Sequence, residues 1–144
     1  MSTDILAQDV VKYLLLNDPY SKWLGISLEE NGEGYCKIKM TVRPEMLNGL
    51  GIVHGGIPFA LADTAFGLAS NNRNNQSVAL DCSITFIKTI NTGDVLTAEA
   101  REIHNGRSTG VYVITIMNQE EQQVALFKGT CFRTAKKLID AGSL

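Results

Sequence analysis

The sequence predicts an α+β domain in which an antiparallel sheet wraps around one long helix. Three observations carry this: an almost unbroken apolar helical run at residues 54–69, a period-two strand before it at residues 36–42, and long strand patterns joined by turn signals after it. With 144 residues and 44% hydrophobic side chains the chain can bury one ordinary core, so a single domain over residues 1–144 is expected.

Taken in order, residues 4–16 mix Ile, Leu and Val with Gln8, Asp9 and Lys12. This suits an amphipathic helix that packs over one end of the sheet and stops before Asn17-Asp18-Pro19. Asn31-Gly32-Glu33-Gly34 turns the chain into a strand where Cys36, Ile38, Met40 and Val42 alternate with Lys37, Lys39 and Thr41. In the central run Pro58 falls in the first turn, where a missing N–H removes no helical bond. Ala62, Ala65 and Ala69 form a flat stripe suited to lying against a sheet, and such a helix should be buried nearly all round. A polar loop at residues 71–76 leads to a strand over 78–90, with Val78, Leu80, Cys82, Ile84 and Phe86 on one face and Asn91-Thr92-Gly93-Asp94 as its turn. Strands near 95–103, 108–117 and 123–133 follow, with Asn105-Gly106 a hairpin signal, and the tail from about 135–144 is expected to be loosely held.

Composition narrows the partners. A net charge of -2 argues against nucleic acid or an anionic membrane, which would favour a basic surface. The N-terminus lacks a signal-peptide pattern, and no apolar run approaches the roughly 20 residues that span a bilayer, so a cytoplasmic location is expected. Cys36, Cys82 and Cys131 have no paired spacing and read as core-facing. His54 and His104 share no ligand spacing, so no metal site is expected.

Chemistry concentrates at the central helix. Asp63 is the only charged residue between Arg43 and Arg73 apart from Glu45, and a carboxylate in an apolar helix is costly to bury unless it is paired, hydrogen-bonded or used. Gly49, Gly51, Gly55 and Gly56 bracket the helix start, where backbone N–H groups and the helix dipole favour a negatively charged oxygen. Acyl transfer to water needs donors for an oxyanion and a base or nucleophile nearby, although a structural carboxylate remains the other reading of Asp63.

The stretch from Met46-Leu47-Asn48-Gly49 through Val53-His54-Gly55-Gly56 to Phe59-Ala60-Leu61-Ala62-Asp63-Thr64 resembles the hotdog-fold acyl-CoA thioesterases, of the phenylacetic acid degradation (PaaI) type. The likeness continues through Gly93-Asp94-Val95-Leu96, residues 104–112 and residues 124–129, and so covers most of the chain. It implies hydrolysis of an acyl-CoA, with an aryl-acetyl thioester the nearest match. Coenzyme A would be part of the substrate, and no separate cofactor is implied.

By the same resemblance the Gly55 N–H polarises the thioester carbonyl, and Asp63 is general base or nucleophile. Asn48 touches the thioester region or orients water, or is only a turn residue; His54 matches the motif histidine and reads as holding the glycine loop. The pantetheine arm would run along Phe86 and the turn His104, Asn105, Gly106, Arg107, Ser108 and Thr109, with Arg107 near phosphate and Lys88, Arg101 and Arg133 as further cations. Leu47, Leu50, Phe59 and Phe66 are candidates for the acyl pocket. Thr64 adjoins the carboxylate but more naturally caps its own helix. Some relatives carry a serine on the strand after the helix, where this chain reads Val78-Ala79-Leu80-Asp81-Cys82-Ser83, and that contact does not transfer.

Gly55 and Asp63 lie eight residues apart, about 12 Å along a helix, too far to serve one carbonyl. Two helices antiparallel across a two-fold axis would bring the start of one to the middle of the other. The resemblance implies this homodimer with shared sites, and pairing of dimers into a homotetramer is expected. Two other classes stay open: a hotdog hydratase or dehydratase, which pairs Asp with His in a different motif, and a non-catalytic acyl-CoA sensor, which would need an attached partner domain.

Overall fold

The computed structural model describes residues 3–140. Helices α1 (Thr3–Leu16) and α2 (Pro19–Leu24) precede strands β1 (Ser27–Gly32) and β2 (Tyr35–Thr41); the long helix α3 (Gly56–Asn71) follows, then β3 (Ser77–Phe86), β4 (Val95–Asn105), β5 (Thr109–Met117) and β6 (Gln123–Arg133). The strands form one antiparallel sheet in the order β1-β2-β4-β5-β6-β3, so β1 and β3 are its edges. Among the described residues no helix is long and apolar enough to cross a membrane.

The alanine stripe does what its spacing implies. Ala62, Ala65 and Ala69 are fully buried, and with Leu61 they let α3 lie close over a core of Ile38, Met40, Leu96, Ala98, Ile114 and Ile116. Phe66 packs against Phe127 and Tyr112, with ring centroids 6.0 and 5.7 Å away. Its ring lies over Gly129, where a Cβ would come within 2.8 Å, so this crossing requires glycine. Phe66 is therefore core and not acyl pocket. The sheet does not surround α3, however: Gly56 and Asp63 are exposed and Phe59, Ala60, Thr64 and Gly67 only half-buried. These positions share one helical face, which lies open beside the edge strand β3.

Four elements differ from expectation. Helix α2 is additional, because Asn17-Asp18-Pro19 is a start signal as well as a stop: Asp18 caps it by accepting from the Ser21 N–H at 3.0 Å, and Pro19 opens it. Strand β1 has no apolar alternation and pairs with β2 through the backbone, with the Lys39–Glu29 ion pair at 2.8 Å above it. The strand at β3 stops at Phe86, and a bulge between Ala79 and Asp81 divides its faces. Ala79 stands opposite Cys131, while Cys82, Ile84 and Phe86 stand opposite Gly129, Phe127 and Ala125. Val78 and Leu80 are left out of the inner face; Val78 opposes the exposed Phe132 on the outside. Finally, the tail is tied down as far as it is described. Asn74, at φ 64°, accepts from the Leu138 and Ile139 N–H groups at 3.0 Å each, and residues 141–144 lie outside the described residues.

The polar tract after α3 is a lock rather than a loop in water. Asn72 is fully buried; its Nδ2 donates to Asn31 Oδ1 (2.9 Å), Gly32 O (2.7 Å) and Tyr35 O (3.1 Å), and its Oδ1 accepts from the Gly34 N–H (3.0 Å). Asn71 holds the other side, bonding to both the N–H and the carbonyl of Ser77. The end of α3 is thereby fixed to the β1–β2 hairpin and to β3.

Truncating Asn72 leaves a buried N–H and two buried carbonyls without their partner. Asn72→Ala should destabilise the fold by about 2–4 kcal/mol, read by urea denaturation at fixed protein concentration; a loss below ~0.5 kcal/mol would show that water replaces the lock.

Candidate active site

The approach to α3 is a short bridged loop. Leu47 pairs with Val53, and between them the Asn48 side-chain oxygen accepts from the Leu50 N–H (2.9 Å) and the Ile52 N–H (3.3 Å), while Gly51 takes φ 79°, a conformation that favours glycine. Asn48 thus builds the turn with its oxygen, and its Nδ2 has no partner among the described residues.

His54 organises the next step. Its N–H donates to the Met46 carbonyl (2.9 Å), its Nδ1 accepts from the Gly56 N–H (3.1 Å) and its carbonyl accepts from the Ile57 N–H (2.9 Å). An accepting Nδ1 puts the proton of the neutral ring on Nε2. Pro58 has no N–H, and the Phe59 N–H reaches the Gly55 carbonyl at 3.3 Å. Every donor of the first turn is thereby accounted for except one. Gly55, the N-cap at φ -56° and ψ -25°, keeps its N–H without an acceptor among the described residues, at the positive end of the helix dipole.

That amide borders a cavity of about 440 Å³ lined by Asn48, Gly55, Pro58, Phe86 and Lys88, with Ile87 and Thr89 closing it. The Phe86 ring stands directly over Gly55, 3.2 Å from where a Cβ would be. The sequence reading carried the strand through to residue 90 and so missed Ile87 and Thr89, which belong to the connection after β3.

Asp63 lies two turns further along, on the open face of α3, and does not line this cavity. Loss of solvation among the surrounding apolar groups pushes its carboxyl above the usual carboxylate range. Cys82, on the inner face of β3, is only half-buried, so it is not a core cysteine like Cys36 and Cys131. Burial, then Asp63, then Asp81 push its thiol up, which places Asp63 close by and keeps the sulfur protonated at neutral pH. Thr64 donates to the Ala60 carbonyl at 2.8 Å, capping its own helix.

The expected arm-binding residues fall at two ends of the sheet. Phe86 is at the Gly55 end, whereas residues 104–109 join β4 to β5 beside Ser77, nine strand residues away, about 30 Å. One chain does not bring them together. In this hairpin Gly106 donates to Thr109 O at 2.8 Å, and a Cβ on Gly106 would meet that oxygen at 2.7 Å. Arg107 is exposed and makes no ion pair or hydrogen bond among the described residues; with Asn105, Arg73 and Asn75 it borders a cavity of about 450 Å³.

Two proposed cations are otherwise engaged. Arg133 is buried and donates to Ser70 O (3.1 Å), Ser77 Oγ (2.9 Å), Asn105 Oδ1 (2.7 Å) and the Tyr112 hydroxyl (3.1 Å). Arg101 pairs with Glu99 at 3.1 Å and covers the Tyr35 ring. Tyr112 in turn donates to Glu102 at 2.8 Å; burial pushes its hydroxyl up to about 12. Burial also raises the Glu102 carboxyl, but its bonds from Arg73 and Tyr112 outweigh this and hold it below the usual range. Leu50 is 84% exposed, while Leu47 and Phe59 border open surface.

Residues 50–125 match the thioesterase superfamily. The chain is 46% identical over 117 residues to the acyl-coenzyme A thioesterase PaaI of Escherichia coli, spanning 81% of this chain and 84% of that one. It superimposes on the structure of the E. coli PaaI protein from the phenylacetic acid degradation operon with a TM-score of 0.92 at 41% identity, covering 94% of this chain and 99% of the other. A hypothetical thioesterase from Streptococcus pneumoniae, solved with coenzyme A, follows at a TM-score of 0.75 and 32% identity, over 78% and 90% of the two chains. The six-stranded sheet curled on α3 is the hotdog fold.

The state of Asp63 has a measurable consequence. Its folded affinity for a proton exceeds the unfolded one, so its contribution is most favourable below about 3.8 and is lost as pH rises through the folded value. Asp63→Asn should therefore raise Tm at pH 7, with the gain over wild type shrinking as pH falls toward 4, in melts at one protein concentration. A lower Tm for the variant at pH 7 would show that the carboxylate is held by compensating bonds.

Proposed function

The chain belongs to the thioesterase superfamily and is an acyl-CoA thioesterase, and we propose that it hydrolyses an aryl-acetyl-CoA, such as phenylacetyl-CoA or a hydroxylated derivative, to the free acid and CoA. The observation that carries this reading is the one unpaired amide at the head of α3, Gly55 N–H, facing a cavity with Asn48, Phe86 and Lys88. The substrate carbonyl accepts from that amide. Water attacks the carbonyl carbon while Asp63 takes its proton; the oxyanion is held by Gly55 N–H and the dipole of α3. Collapse breaks the C–S bond, and the sulfur leaves with the proton from Asp63. In the covalent variant the Asp63 carboxylate attacks first, expelling the thiolate, and water then cleaves the mixed anhydride. Asn48 Nδ2 is available to the thioester or to the water.

The carboxylate comes from a second copy. With two α3 helices antiparallel and Gly55 opposite Asp63 of the partner subunit, Phe59 lies at the dyad, and the open face of each helix covers the other. The partner's α3 then ends about 12 Å beyond Gly55, at 1.5 Å per residue, and carries its hairpin 104–109 alongside. A single coenzyme A reaches Phe86 and Lys88 of one chain and Arg107 of the other. This supports the dimer as the catalytic unit, with pairing of dimers into a tetramer as a further proposal.

Incubation with a panel of acyl-CoAs, following free thiol, should show release favouring aryl-acetyl thioesters; tight binding without release would make the protein a sensor. Asp63→Asn should lower kcat by roughly 10² to 10⁴. Gly55→Pro suits the observed φ of -56° and removes the unpaired N–H, but its ring presses on Phe86, 3.2 Å from the Cβ position, so circular dichroism of the Gly55→Pro homodimer checks its fold first. Each variant homodimer should be nearly inactive, yet a hybrid with one chain of each kind should recover about half of wild-type activity, because one of its two sites is intact. A folded hybrid as inactive as its parents would defeat the shared site.

Arg107→Ala should raise KM for acyl-CoA several-fold with kcat nearly unchanged, an effect masked at high salt, since phosphate is bound alike in ground and transition states. An unchanged KM at low ionic strength would remove Arg107 from the site.

A further inference from the structure

The bridged loop before α3 separates two cavities. Asn48, Val53 and Gly55 face the first; Leu47, His54 and Gly56 face a second, of about 380 Å³, on the other side. The far wall of this second cavity is helix α2, through Tyr20 and Trp23. Their rings are parallel to within 5°, with centroids 6.2 Å apart, and are 53% and 50% exposed. Two large aromatic side chains held parallel in the open, beside the head of α3, form a surface that the core does not use.

This surface is held rigidly. Asp18 and Pro19 fix the start of α2, Gly25 at φ 77° closes it, and Arg43 donates to the carbonyls of Trp23 (2.7 Å) and Leu24 (3.1 Å) while its guanidinium covers the Trp23 ring at 5.0 Å. Arg43 is itself pinned by Glu45 at 2.5 Å. With one face of Trp23 stacked by Arg43 and the residues prepositioned, little side-chain entropy remains to be lost on binding a flat apolar group.

We infer that the cavity between α2 and the glycine loop is the acyl subsite, with Tyr20 and Trp23 as specificity-determining residues that select a flat aryl group. The inference rests on the proposed thioesterase reading, which puts the thioester carbonyl at Gly55 and the coenzyme A arm along Phe86 in the first cavity. With that side occupied, the acyl group continues past His54 and Gly56 into the second. Leu47 supplies its apolar floor, and the aromatic pair stacks on the ring at its end. A short acyl group leaves the platform untouched, so the pair discriminates by what lies beyond the reacting carbon.

Trp23 is the only tryptophan of the chain, so its emission reports directly on this pocket. The non-hydrolysable thioether of CoA with a 2-phenylethyl group should change Trp23 emission on saturation, in parallel with heat released in calorimetry, and CoA alone should not. Trp23→Ala should lower kcat/KM for phenylacetyl-CoA ~10-fold while that for acetyl-CoA stays within about twofold, and Trp23→Phe should restore most of the loss. Thioether binding with unchanged emission, no thioether binding at all, or equal losses on both substrates would overturn the assignment. Wild-type protein whose Trp23 responds to the thioether but releases no thiol from any acyl-CoA would defeat the hydrolase reading and leave the pocket standing. Thiol release with silent Trp23 would do the reverse.

Discussion

A helix as apolar as α3 has to be covered on every side, and the curled sheet of one chain covers only part of it. That constraint organises the molecule. Alanines at 62, 65 and 69 bring the helix close to β2, β4 and β5, which buries one face completely. The opposite face keeps Gly56, Phe59, Ala60, Asp63 and Gly67 beside an edge strand whose own Phe86 is exposed. A carboxylate there is already partly desolvated in the single chain, and a second helix laid across it would remove more water. The surface that calls for a partner and the group proposed for chemistry are therefore the same face of one helix.

Polar groups are divided between the two ends of α3 in opposite ways. At its C-terminal end Asn71, Asn72 and Arg133 bond to the surrounding backbone and to Asn31, Ser77, Asn105 and Tyr112, and among the described residues no buried side-chain polar atom is left without a partner. At its N-terminal end a single amide is left open among the described residues. Fixing one end so completely sets the axis of the helix, and hence where the open amide points. An oxyanion donor works only if it needs no rearrangement when charge develops. The rigidity at Asn72 is in that sense part of the site, although Asn72 lies at the far end of the helix from it.

The sequence made the long, periodic elements legible: α1, α3 and strands β2, β4, β5 and β6 all follow their apolar spacing. What it hid were features whose signal is a partner rather than a period. Strand β1 is nearly all polar and exists because β2 offers it a ladder and Lys39 faces Glu29. The bulge at Ala79–Asp81 reverses which side chains face α3 without changing composition. Arg133 reads as a surface cation in a strand, yet Ser70, Ser77, Asn105 and Tyr112 converge on it from distant parts of the chain. The candidates Gly55 and Asp63 stood out in the sequence because few residue types suit the tasks proposed for them, whereas the aromatic pair on α2 did not, since a six-residue helix leaves no periodic trace.

The position of the histidines bears on which chemistry the fold supports. A hydratase pairs a carboxylate with a histidine free to exchange protons, and this chain has only His54 and His104. His54 Nδ1 already accepts from the Gly56 N–H, and its backbone carries two further bonds of the same loop, so its ring orients the peptide that presents Gly55. Protonating Nδ1 would break that bond and loosen the loop. His104 is exposed on the β4–β5 hairpin, at the other end of the sheet from Gly55. Within one chain, His54 is committed to the loop and His104 lies far from Gly55. In the proposed reaction the carboxylate role is left to Asp63, as base or nucleophile, and desolvation raises its affinity for a proton. The proposed hydrolysis uses one carboxylate and one amide, and the fold carries the candidates for both on a single helix, in an order that the proposed second helix would complete.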